Sequence, residues 1–131
     1  MKVLALDFGS ARTGVAVSDP TGTVARPVGV VPKAATEAGL TRIDELVREH
    51  GVERVVVGLP LTMRGEHGEQ AAETERFVAL LAETVEVPVE TFDERFTTDL
   101  AEQGGGQTAT DARAAAHLLS SYLTWSSSAP R

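Results

Sequence analysis

The chain contains no cysteine, so it has no disulfide framework, no thiolate nucleophile and no cysteine-bound zinc. Any metal must therefore bind to carboxylate oxygen or imidazole, a donor set that favours Mg²⁺ or Mn²⁺. Long apolar runs are also missing: the run Val3–Leu6 is ended by Asp7, far short of the ~18 residues that a membrane span needs. We therefore expect no membrane association, no secretion and a cytoplasmic location.

Positive charge is scarce. Twelve Lys and Arg residues stand against 19 Asp and Glu, for a net charge of -7. Such a chain repels polyanions, so any contact with nucleic acid must be local or bridged by metal. The 131 residues, 42% hydrophobic and 24% charged, fit one globular domain. We expect that domain over residues 1–125, with 126–131 as a disordered tail.

Hydrophobic periodicity predicts an α/β fold. Helical spacing of apolar residues from Leu40 to Val47 predicts a helix that Gly51 ends. Three consecutive strands favour an antiparallel meander, and the later alternation of strands and helices favours two parallel strands. The expected architecture is a mixed five-stranded sheet flanked by helices. The predicted strands are 2–8, 15–18, 23–31, 53–58 and 87–92. The further predicted helices are 71–86, 97–103 and one from about 110 to 122 or 125.

The first candidate site is the segment from Asp7 to Gly14, at the end of the first predicted strand. A carboxylate followed by small residues lets a phosphate or a hydrated divalent cation approach the backbone amides. Arg12 in the same segment is a candidate phosphate contact. Alternatively, Asp7 caps a tight hairpin turn and Arg12 is solvated.

A second candidate site follows the last predicted strand, at Asp93, Glu94 and Arg95. Adjacent carboxylates point to opposite faces of a continuing strand, so spacing does not decide which one reaches a site. The alternative is a surface charge cluster ahead of a helix capped by Thr97 or Thr98.

The third candidate is Asp111, which shares one helical stripe with Ala115, Leu118 and Tyr122. A carboxylate on this stripe would point back towards the edge of the sheet, although Asp111 could equally form a capping box with Thr108. Three carboxylates from two strand ends and one helix start are what a two-metal phosphodiester site requires, with the cations about 4 Å apart.

The loop 58–68 is a candidate lid over such a site, because it contains Pro60, Gly65 and Gly68. Arg64 or His67 could contact substrate from it. A plain surface loop is the alternative, and for His67 we prefer that interpretation.

Four ordered blocks of the chain resemble the YqgF or RuvX family, described as pre-16S ribosomal RNA nucleases and as Holliday junction resolvase-like, with an RNase H-like fold. The blocks read LDFGSARTGVAVSD (6–19), VVGLPL (56–61), FDERFTT (92–98) and DARAAAHLLSSYL (111–123). The resemblance implies a metal-dependent phosphodiester hydrolase that acts on structured RNA or on branched DNA. Its acidic metal site falls on Asp7, on the Asp93–Glu94 pair with Glu94 as first choice, and on Asp111.

One departure from the family concerns substrate binding. The segment 103–110 (QGGGQTAT) has no positive charge where related chains carry a basic stretch. Substrate contacts would then rest on Arg12, Arg64, Arg95 and Arg113. The alternatives are a non-catalytic ribosome-assembly module, a Holliday junction resolvase, and an actin-like kinase or ATPase, whose second lobe 131 residues do not provide. A monomer or weak homodimer is expected.

Overall fold

A computed structural model describes residues 1–61, 64, 68–96 and 107–128 of the chain. Its elements are β1 (Val3–Asp7), β2 (Arg12–Ser18), β3 (Ala25–Pro32), α1 (Glu37–His50), β4 (Arg54–Leu59), α2 (Glu69–Thr84), β5 (Val89–Asp93) and α3 (Gln107–Ser128). A single 3₁₀ turn, Glu94–Phe96, directly follows β5. None of the helices among these residues is both long and apolar enough to cross a bilayer.

The five strands form one mixed sheet in the order β3-β2-β1-β4-β5. The pairs β1–β2 and β2–β3 are antiparallel, whereas β1–β4 and β4–β5 are parallel. The predicted α/β fold, with an antiparallel meander and two parallel strands, is therefore confirmed. The arrangement brings the carboxyl ends of β1, β4 and β5 to the same edge of the sheet.

Side chains alternate between the two faces of the sheet and build two cores. Leu4 and Leu6 belong to a cluster with Ile43 of α1 and Phe77 of α2. The other face is lined by smaller side chains such as Ala5, and it is covered by α3 through residues including Leu118, Leu119 and Tyr122. The sheet thus holds α3 on one side and α1 and α2 on the other.

Helix α1 is capped at both ends by residues that favour helix termini, Thr36 and Gly51. The Thr36 hydroxyl accepts a hydrogen bond from the Gly39 N–H at 3.2 Å. Gly51 adopts the left-handed conformation, with φ of 61°, and its N–H donates to Arg48 and Val47 carbonyls. Its predicted role as the end of the helix is confirmed.

The structure differs from the expected boundaries at β2, which begins at Arg12 rather than at 15, at α3 and after β5. Helix α3 starts at Gln107 and continues through Ser128, so three residues of the expected tail 126–131 are helical. The 3₁₀ turn Glu94–Phe96 had no sequence prediction. The short helix predicted at 97–103 lies outside the described residues.

Candidate active site

Asp7 and Glu94 form a hydrogen-bonded pair of carboxyl groups at the edge of the sheet. Asp7 is the last residue of β1, and Glu94 directly follows β5. Burial, the hydrogen bond to Asp7 and the negative charge of Asp7 raise the pKa of Glu94 to about 8. Near neutral pH, the pair therefore keeps one proton between its two carboxyl groups.

The pKa of Asp7 is also raised. Burial is the main cause, the hydrogen bond from Glu94 opposes the rise, and the charge of Asp111 adds to it. Burial and mutual repulsion thus make it unfavourable for both carboxyl groups to be ionised at the same time. Perturbed acids of this kind concentrate at functional sites.

Gly58 makes the pairing sterically possible. It lies on β4, the strand between β1 and β5. A β-carbon at this position would stand 2.8 Å from Oε1 and 2.9 Å from Cγ of Glu94. The missing side chain therefore leaves the space through which Glu94 reaches Asp7. A glycine inside a strand pattern is a signal that another group approaches closely, and Gly58 is the sequence signal for this contact.

Asp111 is brought to the same region by the close packing of α3 on β2. A β-carbon on Gly14 would lie 2.0 Å from the backbone oxygen of Asp111, so only glycine allows the helix to approach this far. The Asp111 carboxylate pairs with Arg12, whose Nε lies 3.0 Å from Oδ2. The structure therefore places Asp111 close enough to act on Asp7 by its charge, with one oxygen occupied by Arg12.

Asp93 and Arg95 contact each other. Nε and Nη2 of Arg95 lie 2.9 Å and 2.6 Å from Oδ2 of Asp93, and this contact lowers the pKa of Asp93. Of the two adjacent acids, Glu94 is the one that meets Asp7, while Asp93 acts on Glu94 only by its charge. Arg95, predicted as a phosphate contact, is engaged by this carboxylate.

The carboxyl pair opens into a cleft of about 270 Å³. Residues of three further segments line it with Asp7 and Glu94, namely Phe8, Gly9, Ser10, Pro60, Gln70, Glu73 and Thr74. The contribution of α2 was not predicted from the sequence, because nothing in the helical pattern marks Gln70 or Glu73 as facing a site. Arg64 is exposed, and His67 lies outside the described residues.

Oxygen donors are the ligands that a divalent cation would find here. Within the described part of the chain, no group of three or more His, Asp or Glu side chains is arranged to hold a metal ion. Asp7 and Glu94 nevertheless have the chemistry that such a cation prefers, because carboxylate oxygens are hard ligands. A bound cation would also stabilise the state in which both carboxyl groups are ionised, which is unfavourable without it. Two converged donors are present, and the charge of Asp111 acts on Asp7.

The mixed five-stranded sheet with helices on both faces has the fold of RuvC. The structure aligns with "T. thermophilus RuvC in complex with Holliday junction substrate" at a TM-score of 0.63, over 98% of this chain and 96% of that chain, at 19% identity. This likeness shows the fold. The chain belongs to the RuvX family: the model described as "RuvX: Holliday junction resolvase" matches residues 1–125.

Relatives with high sequence identity carry one name. A protein of Chloroflexus aggregans named "Putative pre-16S rRNA nuclease" is 54% identical over 101 residues, covering 77% of this chain and 71% of the relative. A protein of Syntrophomonas wolfei with the same name is 35% identical over 132 residues, covering 94% of each chain. The predicted family membership is confirmed.

Proposed function

We propose that the chain is a divalent-metal-dependent nuclease that hydrolyses phosphodiester bonds in the precursor of 16S ribosomal RNA, and that it acts on this substrate in the cytoplasm. The observation that carries the proposal is the hydrogen-bonded Asp7–Glu94 pair in an open cleft, with the charge of Asp111 acting on it. The RuvX family membership and the names of the relatives support the same activity and supply the substrate.

Asp7 and Glu94 would hold Mg²⁺ or Mn²⁺, with Asp111 as the further ligand that a two-metal arrangement requires. A cation bound there supplies Lewis-acid polarisation of the scissile phosphate. Glu94 would release the shared proton to solvent if both carboxylates bound a cation, since the added positive charge would lower the pKa of Glu94. Asp93 stays a candidate ligand from the sequence, although its contact with Arg95 makes Glu94 the better supported acid.

Arg12 and Arg64 would contact the phosphate backbone beside the cleft, because guanidinium groups bind phosphate oxygens in a fork geometry. Arg95 would join them only by leaving Asp93. Binding residues of this kind orient the scissile bond over the acids and add local positive charge to a chain that is acidic overall.

Asp7→Asn tests the proposal directly. Cleavage of an RNA that contains the 5′ end of the 16S sequence and its leader should fall at least about 100-fold with Mg²⁺ or Mn²⁺, because one of two converged ligands is lost. Thermal stability in chelator should stay equal or rise, since the variant removes a buried charge.

Glu86→Gln is the matched control, because it also replaces a carboxylate by an amide of the same length, and Glu86 is exposed and lies between α2 and β5. Cleavage of a four-way DNA junction, measured in parallel, distinguishes RNA cleavage from the Holliday junction resolvase activity that the family description names. Undiminished cleavage by Asp7→Asn would remove Asp7 from the reaction. Absence of cleavage by the unaltered protein on either substrate would favour a non-catalytic assembly module.

A further inference from the structure

The ion pair between Arg12 and Asp111 joins two groups that the proposed nuclease needs for different partners. Asp111 is the acid that would complete the ligand set of Asp7 and Glu94, and Arg12 is the side chain that would bind phosphate. In the structure, Nε of Arg12 lies 3.0 Å from Oδ2 of Asp111. One oxygen of Asp111 is therefore engaged by Arg12, and the Nε–H of Arg12 is engaged by Asp111.

The geometry favours an exchange of partners. The backbone of Asp111 is fixed against Gly14 of β2, so the carboxylate can turn between neighbours without moving the helix. The two side chains are 38% and 29% exposed, and an ion pair at that exposure contributes little to stability. The Arg12 guanidinium has five N–H donors, so a phosphate can replace the carboxylate as its partner.

We infer, resting on the proposed nuclease function, that Arg12 is a positioning residue that withholds Asp111 from the metal site until a phosphate group of the substrate takes Arg12. In the free protein, Arg12 neutralises Asp111, and the cleft offers two converged carboxyl groups. When a phosphate engages Arg12, Asp111 is released beside Asp7. Binding of substrate and binding of the divalent cation then favour each other, and this coupling is reciprocal.

Titration of Mn²⁺ without nucleic acid, followed by electron paramagnetic resonance, tests the first half of the exchange. Arg12→Gln frees Asp111 permanently, so its Mn²⁺ affinity should be at least about fivefold higher than that of the unaltered protein. Arg42→Gln is the matched control, because it removes an arginine from ion pairs with Glu45 and Glu49 on α1. It should leave the affinity unchanged.

A double-mutant cycle separates the exchange from the general effect of losing a positive charge near an acidic cleft. If Arg12 acts through Asp111, the gain from Arg12→Gln should disappear in an Asp111→Asn background. An equal gain in both backgrounds would overturn the inference, and so would unchanged, weaker or undetectable Mn²⁺ binding by Arg12→Gln. Arg12→Met, which removes the charge and keeps the length of the side chain, replaces Arg12→Gln with the same expected results if Arg12→Gln does not fold.

The second half of the exchange, in which phosphate takes Arg12 from Asp111, is tested by measuring the fluorescence anisotropy of a fluorescein-labelled 12-nucleotide RNA in chelator. Asp111→Asn releases Arg12, so RNA should bind at least about fivefold more tightly than to the unaltered protein, and Arg12→Gln should abolish that gain. A gain that survives Arg12→Gln would contradict the exchange. Neither assay measures cleavage, so the two proposals can fail separately. If only the nuclease proposal fails, the protein will not cleave RNA, but its Arg12 variants will still show the expected changes in Mn²⁺ and RNA affinity.

Discussion

At the scale of single residues, the feature with the clearest consequences is the proton shared between Asp7 and Glu94. Glu94 has a pKa raised from 4.5 to about 8, chiefly by burial and by Asp7. Between these values the folded protein binds a proton that the unfolded chain has released. Because stability falls with pH wherever the folded state binds more protons, the metal-free protein loses stability as pH rises from about 5 to 8.

This pH dependence is the first prediction at the residue scale. In chelator, the free energy of unfolding should fall across that window by at most about 1.4 kcal/mol per pH unit, the limit for one proton. Glu94→Gln should flatten the profile, because the amide does not titrate. Denaturant unfolding at several pH values measures the slope.

Glu86→Gln serves as the control for that profile, since this exposed glutamate lies outside the cleft. Its profile should match that of the unaltered protein. A profile of unaltered protein that rises or stays level between pH 5 and 8, and does not respond to Glu94→Gln, would contradict a shared proton at this site.

At the scale of secondary structure elements, the site depends on two glycines that let neighbouring elements come close. Gly14 admits the backbone of α3 onto β2, and Gly58 admits the Glu94 side chain across β4. Asp7 ends β1 and Glu94 directly follows β5, and these two strands are not adjacent, because β4 separates them. The acids meet only because β4 presents no side chain at Gly58.

Gly58→Ala should therefore damage the site more than the fold. Its β-carbon would displace a flexible side chain rather than backbone, so the stability change should stay within about 1–2 kcal/mol. The displaced Glu94 should lower the cleavage rate by about 10–100-fold, the range expected when a catalytic group is misplaced by roughly 1 Å. Thermal unfolding and single-turnover cleavage measure the two effects.

Gly29→Ala is the matched control, because Gly29 also lies in a strand and a β-carbon there meets nothing within 4 Å. Cleavage by this variant should be normal. Full activity of Gly58→Ala would show that the position of Glu94 does not depend on the space above β4.

The sequence was sufficient to predict the five strands and the helices α1, α2 and α3 in their order, because most of their boundaries carry local signals. Gly51 ends α1 and the apolar runs of β1 and β4 mark buried strands. The site acids Asp7, Glu94 and Asp111 were named from strand and helix ends and from a family resemblance. The contacts that these acids make could not be predicted from local patterns, since the pairing of Arg12 with Asp111, for example, joins residues 99 positions apart.

Two further features of the site needed the three-dimensional structure. The face of α2 that lines the cleft bears Gln70 and Glu73, and helical periodicity identifies only the buried face of a helix. The choice between Asp93 and Glu94 depends on the 3₁₀ turn that follows β5, which directs Asp93 to Arg95 and Glu94 to Asp7. Strand alternation alone leaves that choice open.

At the scale of the whole molecule, the net charge of -7 opposes the binding of RNA. Two of the arginines expected to contact phosphate, Arg12 and Arg95, are engaged by carboxylates in the structure. Local positive charge beside the cleft is thus smaller than the sequence suggests, which increases the dependence on divalent cations.

RNA affinity should therefore rise far more with Mg²⁺ than with Na⁺ at equal ionic strength. Monovalent salt only screens, whereas a divalent cation in the cleft neutralises the acids and bridges them to phosphate. Fluorescence anisotropy with an RNA protected from cleavage measures the difference, and Asp7→Asn should remove most of the Mg²⁺ effect. Tight binding in chelator would place the RNA on another surface.

The central claim is that Asp7 and Glu94 together hold a divalent cation, and anomalous diffraction from a crystal soaked in Mn²⁺ tests it most directly. The account predicts a manganese peak at about 2–2.5 Å from carboxylate oxygens of both residues, and loss of that peak in Asp7→Asn crystals. A fully soaked crystal in which Asp7 and Glu94 remain hydrogen-bonded to each other, without manganese between them, would contradict it.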